Sequence, residues 1–489
     1  MGESLNRQIV SASKWSVLAE LVAKLVTPVT SMILARLLTP EAFGVVATIS
    51  MITTFAEIFT DAGFQKYLIQ HEFKDKIELY FTTNVAFWSN LAMSLFIWLI
   101  IIIVREPLAA MVGNPGLGHV IALACASIPI AAFSSIQMAL YKRGFNYKVL
   151  FKIRVVAIMM PILVIIPLAL LFKNYWALVI GDLIRSAVIA VLMTYYSEWK
   201  PKLVYSFKKL KEMLSFTIWS MVEAISIWLA SYVDVFIVGT LLSQYYLGLY
   251  KTATSTVGLI MGLITSATTP ILFASLSRLQ DDEHAFKELF LKFQKIVGAL
   301  VIPMGIGIYC YSDVVTSILL GSQWMEAAGL VGLWGLTSAV MIVLAHYASE
   351  VYRAKGKPKL SVLAQWLHII VLWPTVIIAV KYGFEVLYTA RALVRLEGIL
   401  VNLTLMYIVI KISPTMMVKN VLPSCIAGTI MLVVSIGLNQ ILPGDLIWRI
   451  VQAAICAFSY IIIIQLFPTE KTLIHGFYIQ TKQKILKNH

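Results

Sequence analysis

The chain has 489 residues, 60% of them apolar and only 13% charged, with a net charge of +14 and a mean hydropathy of +0.85. A soluble domain is about half apolar, so this is a membrane protein. Its runs of about 20 apolar residues suit helices, which excludes the short alternating strands of a barrel. The cations are interleaved between apolar spans rather than gathered on one domain, so they read as orienting loops and exclude a nucleic-acid partner.

Apolar runs and polar breaks predict fourteen helices, over 14–37, 42–65, 78–104, 117–140, 149–172, 175–196, 214–239, 246–275, 290–311, 327–348, 359–380, 384–410, 420–441 and 445–467. The expected fold class is an all-α integral membrane protein. The first run is too long and too charged for a cleaved signal peptide, and it lacks an A-x-A-like exit. Its stretch from Lys14 to Gly44 returns in degenerate form 204 positions later. Trp15 and Ser16 fall on Trp219 and Ser220, Ile33 on Ile237, Leu37 and Leu38 on Leu241 and Leu242, and Gly44 on Gly248. Six helices per repeat is an even number, so both copies face the same way about an axis along the membrane normal, with a cavity between two lobes. The expected lobes are 1–197 and 198–411, with 412–489 supplying two appended helices and a tail.

With the N-terminus in the cytoplasm, 29 of the 39 Lys and Arg lie in inward segments. The outer loops and helix ends hold only Arg36, Arg105, Lys173, Lys251, Lys381 and Arg449. Both termini are therefore expected in the cytoplasm. The short outward loops, and the longer ones at 105–116 and 312–326, hold too few polar groups for a catalytic centre, so no enzyme is expected. Segments 200–212 and 277–295 read as amphipathic and interfacial.

Ionisable groups at bilayer depth are costly and are functional candidates by default. The first helix carries Glu20 and Lys24 on one face, four residues apart. Either the two neutralise each other, or Lys24, about 15 Å beyond Lys14 along the helix, lines a cavity near the midplane. Glu57 and Asp61 repeat that spacing on the second helix; they suit a shared proton, a coupled cation or, for Asp61, a solvated helix end. The sixth helix has Asp182 and Arg185 and the twelfth has Arg391 and Arg395 with Glu397 nearby; offsets of 209 and 210 relate the two pairs. Asp234 and Glu223 add acids to the seventh helix. Lys251 either snorkels outward or lines the cavity, and Arg36 reads as an interfacial anchor or a substrate contact. Cationic cavity candidates are thus Lys24, Arg36, Arg185, Lys251, Arg391 and Arg395, and ion-coupling candidates are Glu20, Glu57, Asp61 and Asp234.

Other chemistry is sparse. Cys125, Cys310, Cys425 and Cys456 are scattered small hydrophobes, His346 and His368 suit packing, and neither set has metal-ligand spacing. There is no G-x-x-x-x-G-K-[ST] loop for ATP. Pro28, Pro129, Pro161, Pro167, Pro270, Pro303 and Pro374 interrupt helices, either as gating bends or as ordinary membrane-helix prolines. No metal and no cofactor is expected beyond a coupled proton or sodium ion.

Five elements share an order and spacing with a known family. They are the opening Ser11-Ala12-Ser13-Lys14-Trp15-Ser16, Leu34-Ala35-Arg36-Leu37-Leu38-Thr39-Pro40-x-x-Phe43-Gly44, Asp61-x-Gly63-Phe64 with Leu68-Ile69-Gln70, Leu140-Tyr141-Lys142-Arg143-x-Phe145, and Leu320-Gly321-x-x-Trp324. Together they resemble the bacterial polysaccharide flippases of the Wzx and teichuronic-acid-exporter type, within the multidrug/oligosaccharidyl-lipid/polysaccharide exporter superfamily. The resemblance implies a fourteen-helix, two-lobed transporter of the bacterial cytoplasmic membrane. It would move an undecaprenyl-(pyro)phosphate-linked oligosaccharide outward by alternating access, with membrane lipids, a glycan polymerase and chain-length machinery as further partners. A multidrug-and-toxin-type exporter should line its cavity with acids, and a membrane glycan polymerase or ligase should carry a large catalytic outer loop; these remain the alternatives.

Overall fold

A computed structural model describes residues 2–61, 63–468 and 470, leaving aside the side chains of 2–10, 12–13, 60–61, 215–220, 222–223 and 230. Every regular element among them is helical, and the chain divides into two compact units, Met1–Lys251 and Thr252–His489. Thirteen helices among the described residues are long and apolar enough to cross a membrane.

In the first unit, α1 (Gly2–Leu37) begins well before the expected start, and α2 (Pro40–Asp61) opens on a proline whose missing N–H costs nothing there. The sequence placed the second helix through 65, but α2 ends at Asp61 and a separate α3 (Phe64–Gln70) follows. A reciprocal cap starts α4 (Lys76–Ile103): the Asp75 carboxylate accepts from Glu78 N at 2.7 Å, and Glu78 accepts from Lys74 N at 2.9 Å. After α5 (Arg105–Met111), the expected fourth helix forms as α6 (Gly118–Ala124) and α7 (Ser127–Arg143). The fifth forms as α8 (Tyr147–Met160) and α9 (Ile166–Phe172), joined by a π-helical turn at Pro161–Ile165 where proline removes a ladder donor. Then come α10 (Trp176–Tyr196) and α11 (Phe207–Leu241), and α12 (Gln244–Arg278) runs across the unit boundary.

The second unit continues with α13 (Glu283–Cys310), α14 (Ser312–Leu319), α15 (Ala328–Met341), α16 (Ala348–Ala354), α17 (Lys359–Ala379), α18 (Phe384–Ile410), α19 (Pro414–Ile441) and α20 (Leu446–Ile464). Small residues let α13 and α15 close on each other: a Cβ at Gly335 would meet Ile308 Cγ2 at 2.5 Å, and one at Gly305 would strike Ala339.

The segments read as interfacial hold the first turns of α11 and α13, capped by Ser206 and by Asp282, whose carboxylate accepts from His284 N at 3.1 Å and Ala285 N at 3.0 Å. In the first unit α11 packs on α2, α3 and α4. Within that packing the Trp228 indole N–H donates to Met51 O at 3.1 Å.

Two of the recognisable motifs form one joint. The Arg143 guanidinium at the end of α7 donates to the carbonyls of Leu68 (2.9 Å), Ile69 (3.3 Å) and His71 (2.6 Å), satisfying the orphan acceptors at the end of α3. It also lies 4.7 Å from the Phe73 ring centroid.

The repeat has a physical counterpart inside the first unit. A Cβ at Gly44 would fall on the Gln244 carbonyl, and a Cβ at Gly248 would fall on the Pro40 carbonyl. Gly44 and Gly248 are related by the 204-residue shift, and so are Pro40 and Gln244. Each contact is thus the image of the other, an isologous meeting of the two copies about a local pseudo-twofold. Backbone carbonyls cannot swing aside as side chains can. Gly44→Ala and Gly248→Ala are each expected to lower the melting temperature of the purified protein, reflecting about 1–3 kcal/mol of overpacking. Gly258→Ala, where a Cβ meets nothing within 4 Å, should not; equal melting temperatures for all three would contradict the contact.

Candidate functional site

Three groups of charged side chains lie within the first unit. The Glu57 carboxylate of α2 and the Asp182 and Arg185 side chains of α10 line a cavity of about 330 Å³, together with the hydroxyls of Ser50, Thr53, Thr54, Ser127 and Ser186. Arg185 Nε donates to Asp182 Oδ1 at 2.9 Å, and its Nη2 reaches the same oxygen at 2.5 Å. The pair is thus the internal one that its spacing predicts, and both partners face a polar chamber.

In the second group Glu20 Oε2 accepts from Arg154 Nη2 of α8 at 2.7 Å, a cation supplied by another helix. Lys24 is half-buried on α1, and Arg36 is exposed in the last turn of that helix.

The third group surrounds Asp234 of α11. This carboxylate is buried and accepts from the Tyr250 hydroxyl at 2.7 Å. Lys251 Nζ stands 5.1 Å from the Tyr232 ring centroid, an aromatic face that offsets some of the desolvation of the ammonium. The side chains of Asp61 and Glu223 lie outside the described residues.

In the second unit, Arg391 and Arg395 of α18 share the indole of Trp334 on α15. Their guanidinium carbons lie 5.2 Å and 4.2 Å from the ring centroid. Arg395 Nη1 also donates to Ser338 Oγ at 2.9 Å and to Thr337 Oγ1 at 3.3 Å. The Arg391 side chain is 9% exposed. On another face of α18, Glu397 meets His368 Nδ1 of α17 at 2.9 Å, so His368 is the satisfied packing histidine that the sequence suggests. Sequence reading missed Trp334, Thr337 and Ser338. Their signal was available: an indole and two hydroxyls at i, i+3 and i+4 form one polarisable stripe in an otherwise apolar run. Among the described residues no group of three His, Cys, Asp or Glu side chains could hold a metal ion.

Residues 33–329 match a family described as "Polysaccharide biosynthesis protein". The chain belongs to that family. The matched region contains four of the five motif elements read from the sequence. A curated relative, the succinoglycan biosynthesis transport protein ExoT of Rhizobium meliloti, is 25% identical over 72% of this chain and 70% of its own length. The teichuronic acid biosynthesis protein TuaB of Bacillus subtilis is 20% identical over 73% of this chain and 74% of its own. Among solved structures, the lipid II flippase MurJ in an inward closed conformation superposes with a TM-score of 0.75 at 16% identity, covering 94% of this chain and 99% of that one. The chain therefore has the fold of that flippase.

For this family member the Trp334 platform gives a direct test. Trp334→Ala removes the ring beneath both guanidinium groups and is expected to lower the melting temperature, each cation–π contact being worth about 0.5–2 kcal/mol. Trp334→Phe, which keeps an aromatic face, should recover most of the loss; no difference between the two variants would contradict the platform.

Proposed function

We propose that the protein translocates an undecaprenyl-(pyro)phosphate-linked oligosaccharide from the cytoplasmic to the outer leaflet, for cell-surface polysaccharide biosynthesis. Family membership supports the pathway, and the likeness to a succinoglycan biosynthesis transport protein and to a lipid II flippase supports a lipid-linked cargo. The single observation that carries the reading is the pair of guanidinium groups, Arg391 and Arg395, held on one indole inside the apolar span Phe384–Ile410. Cations at bilayer depth are expensive to keep, and a planar fork suits a phosphate or pyrophosphate.

The mechanism proposed is alternating access. The head group pairs with Arg391 and Arg395 while the prenyl chain remains in lipid, and the site opens in turn to each face of the membrane. Glu57, on the wall of the polar chamber that also holds Asp182 and Arg185, is the proposed site where a proton or sodium ion couples to the cycle. An exporter of cationic drugs is the weaker reading, since Arg391 and Arg395 would repel such a cargo.

In proteoliposomes carrying a lipid-linked oligosaccharide, Arg395→Ala is expected to slow flipping at least about tenfold, the effect of losing about 1.4 kcal/mol, and Arg395→Lys should restore part of the rate. Flipping by Arg395→Ala at the wild-type rate would contradict the cargo assignment. Glu57→Gln should flatten the response to an imposed pH or sodium gradient, and an unchanged response would remove Glu57 from the coupling step.

A further inference from the structure

We infer that the first unit carries a second site, for an anionic phospholipid of the cytoplasmic leaflet, in a crevice between α1, α7, α8 and α10. The crevice holds about 310 Å³ and is lined by Trp15, Lys142, Tyr147, Phe151, Arg154 and Met193, among others. All four helices present the same end to it. Trp15 is the second residue of the span Lys14–Leu37, Lys142 the penultimate residue of Gly118–Arg143, Tyr147 the first of Tyr147–Phe172, and Met193 lies one turn before the end of Trp176–Tyr196. The Lys and Arg distribution assigns that end to the cytoplasm. The crevice therefore sits at head-group depth.

Its chemistry is that of an amphiphile site. Trp15 and Phe151 stack at 5.0 Å with a 46° tilt, placing two aromatic rings where the belt at the edge of the hydrocarbon requires them. Lys148 Nζ lies 5.9 Å from the Trp15 ring, and Lys142 and Arg154 line the crevice. Among the described residues the carboxylate paired with these cations is Glu20, on Arg154. Three cations against one acid leave an excess of positive charge over an apolar floor that includes Ala19, Leu150, Ile153 and Ala157. Basic pockets between helices on the cytoplasmic side are where anionic lipid head groups bind.

Size separates this occupant from the proposed cargo. A volume of 310 Å³ equals about ten waters at ~30 Å³ each. That accommodates a glycerophosphate and the first methylenes, and it is too small for an oligosaccharide. The occupant is an ordinary anionic phospholipid, phosphate toward Lys142 and Lys148, acyl chain along the floor. Since the floor and the Glu20–Arg154 bridge join α1 to α8, a bound lipid would hold in place the helix that carries Lys24. The site does not depend on which cargo is flipped.

Native mass spectrometry of the full-length protein, with phosphatidylglycerol or phosphatidylcholine of matched chains, tests it. The wild type should retain phosphatidylglycerol in preference, and Lys142→Ala/Lys148→Ala should weaken that preference about tenfold. Lys357→Ala/Lys359→Ala, which removes the same charge elsewhere, should leave it unchanged. Equal retention of both lipids, an unaltered preference in the Lys142/Lys148 variant, or an equal loss in the Lys357/Lys359 variant would overturn the proposal. Displacement of phosphatidylglycerol by millimolar inorganic phosphate would overturn the lipid assignment in favour of a soluble anion.

Discussion

In a hydrocarbon slab about 30 Å thick a fixed charge must find a counter-charge, a polarisable face or water. This chain uses the first two, and a neutral hydroxyl besides. Asp182 and Arg185 neutralise one another beside a polar chamber, Arg391 and Arg395 rest on the face of Trp334, and Asp234 is buried against the Tyr250 hydroxyl. Arg395 is positioned by two hydroxyls as well as by the indole.

The same economy governs the backbone. Helices can meet closely only where side chains vanish, and one such meeting in the first unit joins the two copies of the repeated element. Gly44 and Gly248 meet the backbones of Gln244 and Pro40 in a reciprocal arrangement, so the repeat is visible as a symmetric contact.

The spans were legible because hydrophobic length is a one-dimensional property. The expected first and twelfth helices, 14–37 and 384–410, coincide with the apolar spans observed. Gly44 and Gly248 were legible for a similar reason, since a repeat needs only a shift. The Asp182–Arg185 pair was legible because i, i+3 neighbours share a face. What escaped was partnership across distance. Glu20 accepts from Arg154, on another helix 134 positions away, and spacing along one helix carries no information about its neighbour. The Trp334 platform was hidden in an apolar run where an indole reads as packing. A repeat relates positions along the chain, whereas the compact units reflect packing such as that of α11 on α2, α3 and α4.

The account depends on Lys24 and Arg395 facing water rather than lipid. Thiol accessibility in membranes measures this directly, after Cys125, Cys310, Cys425 and Cys456 are replaced and single cysteines are introduced by Lys24→Cys and Arg395→Cys. Reaction of both with a charged, membrane-impermeant methanethiosulfonate, and protection of both by a lipid-linked oligosaccharide, is the predicted result. Reaction only with a lipid-soluble maleimide, unaffected by that substrate, would contradict a cationic aqueous pathway through the protein.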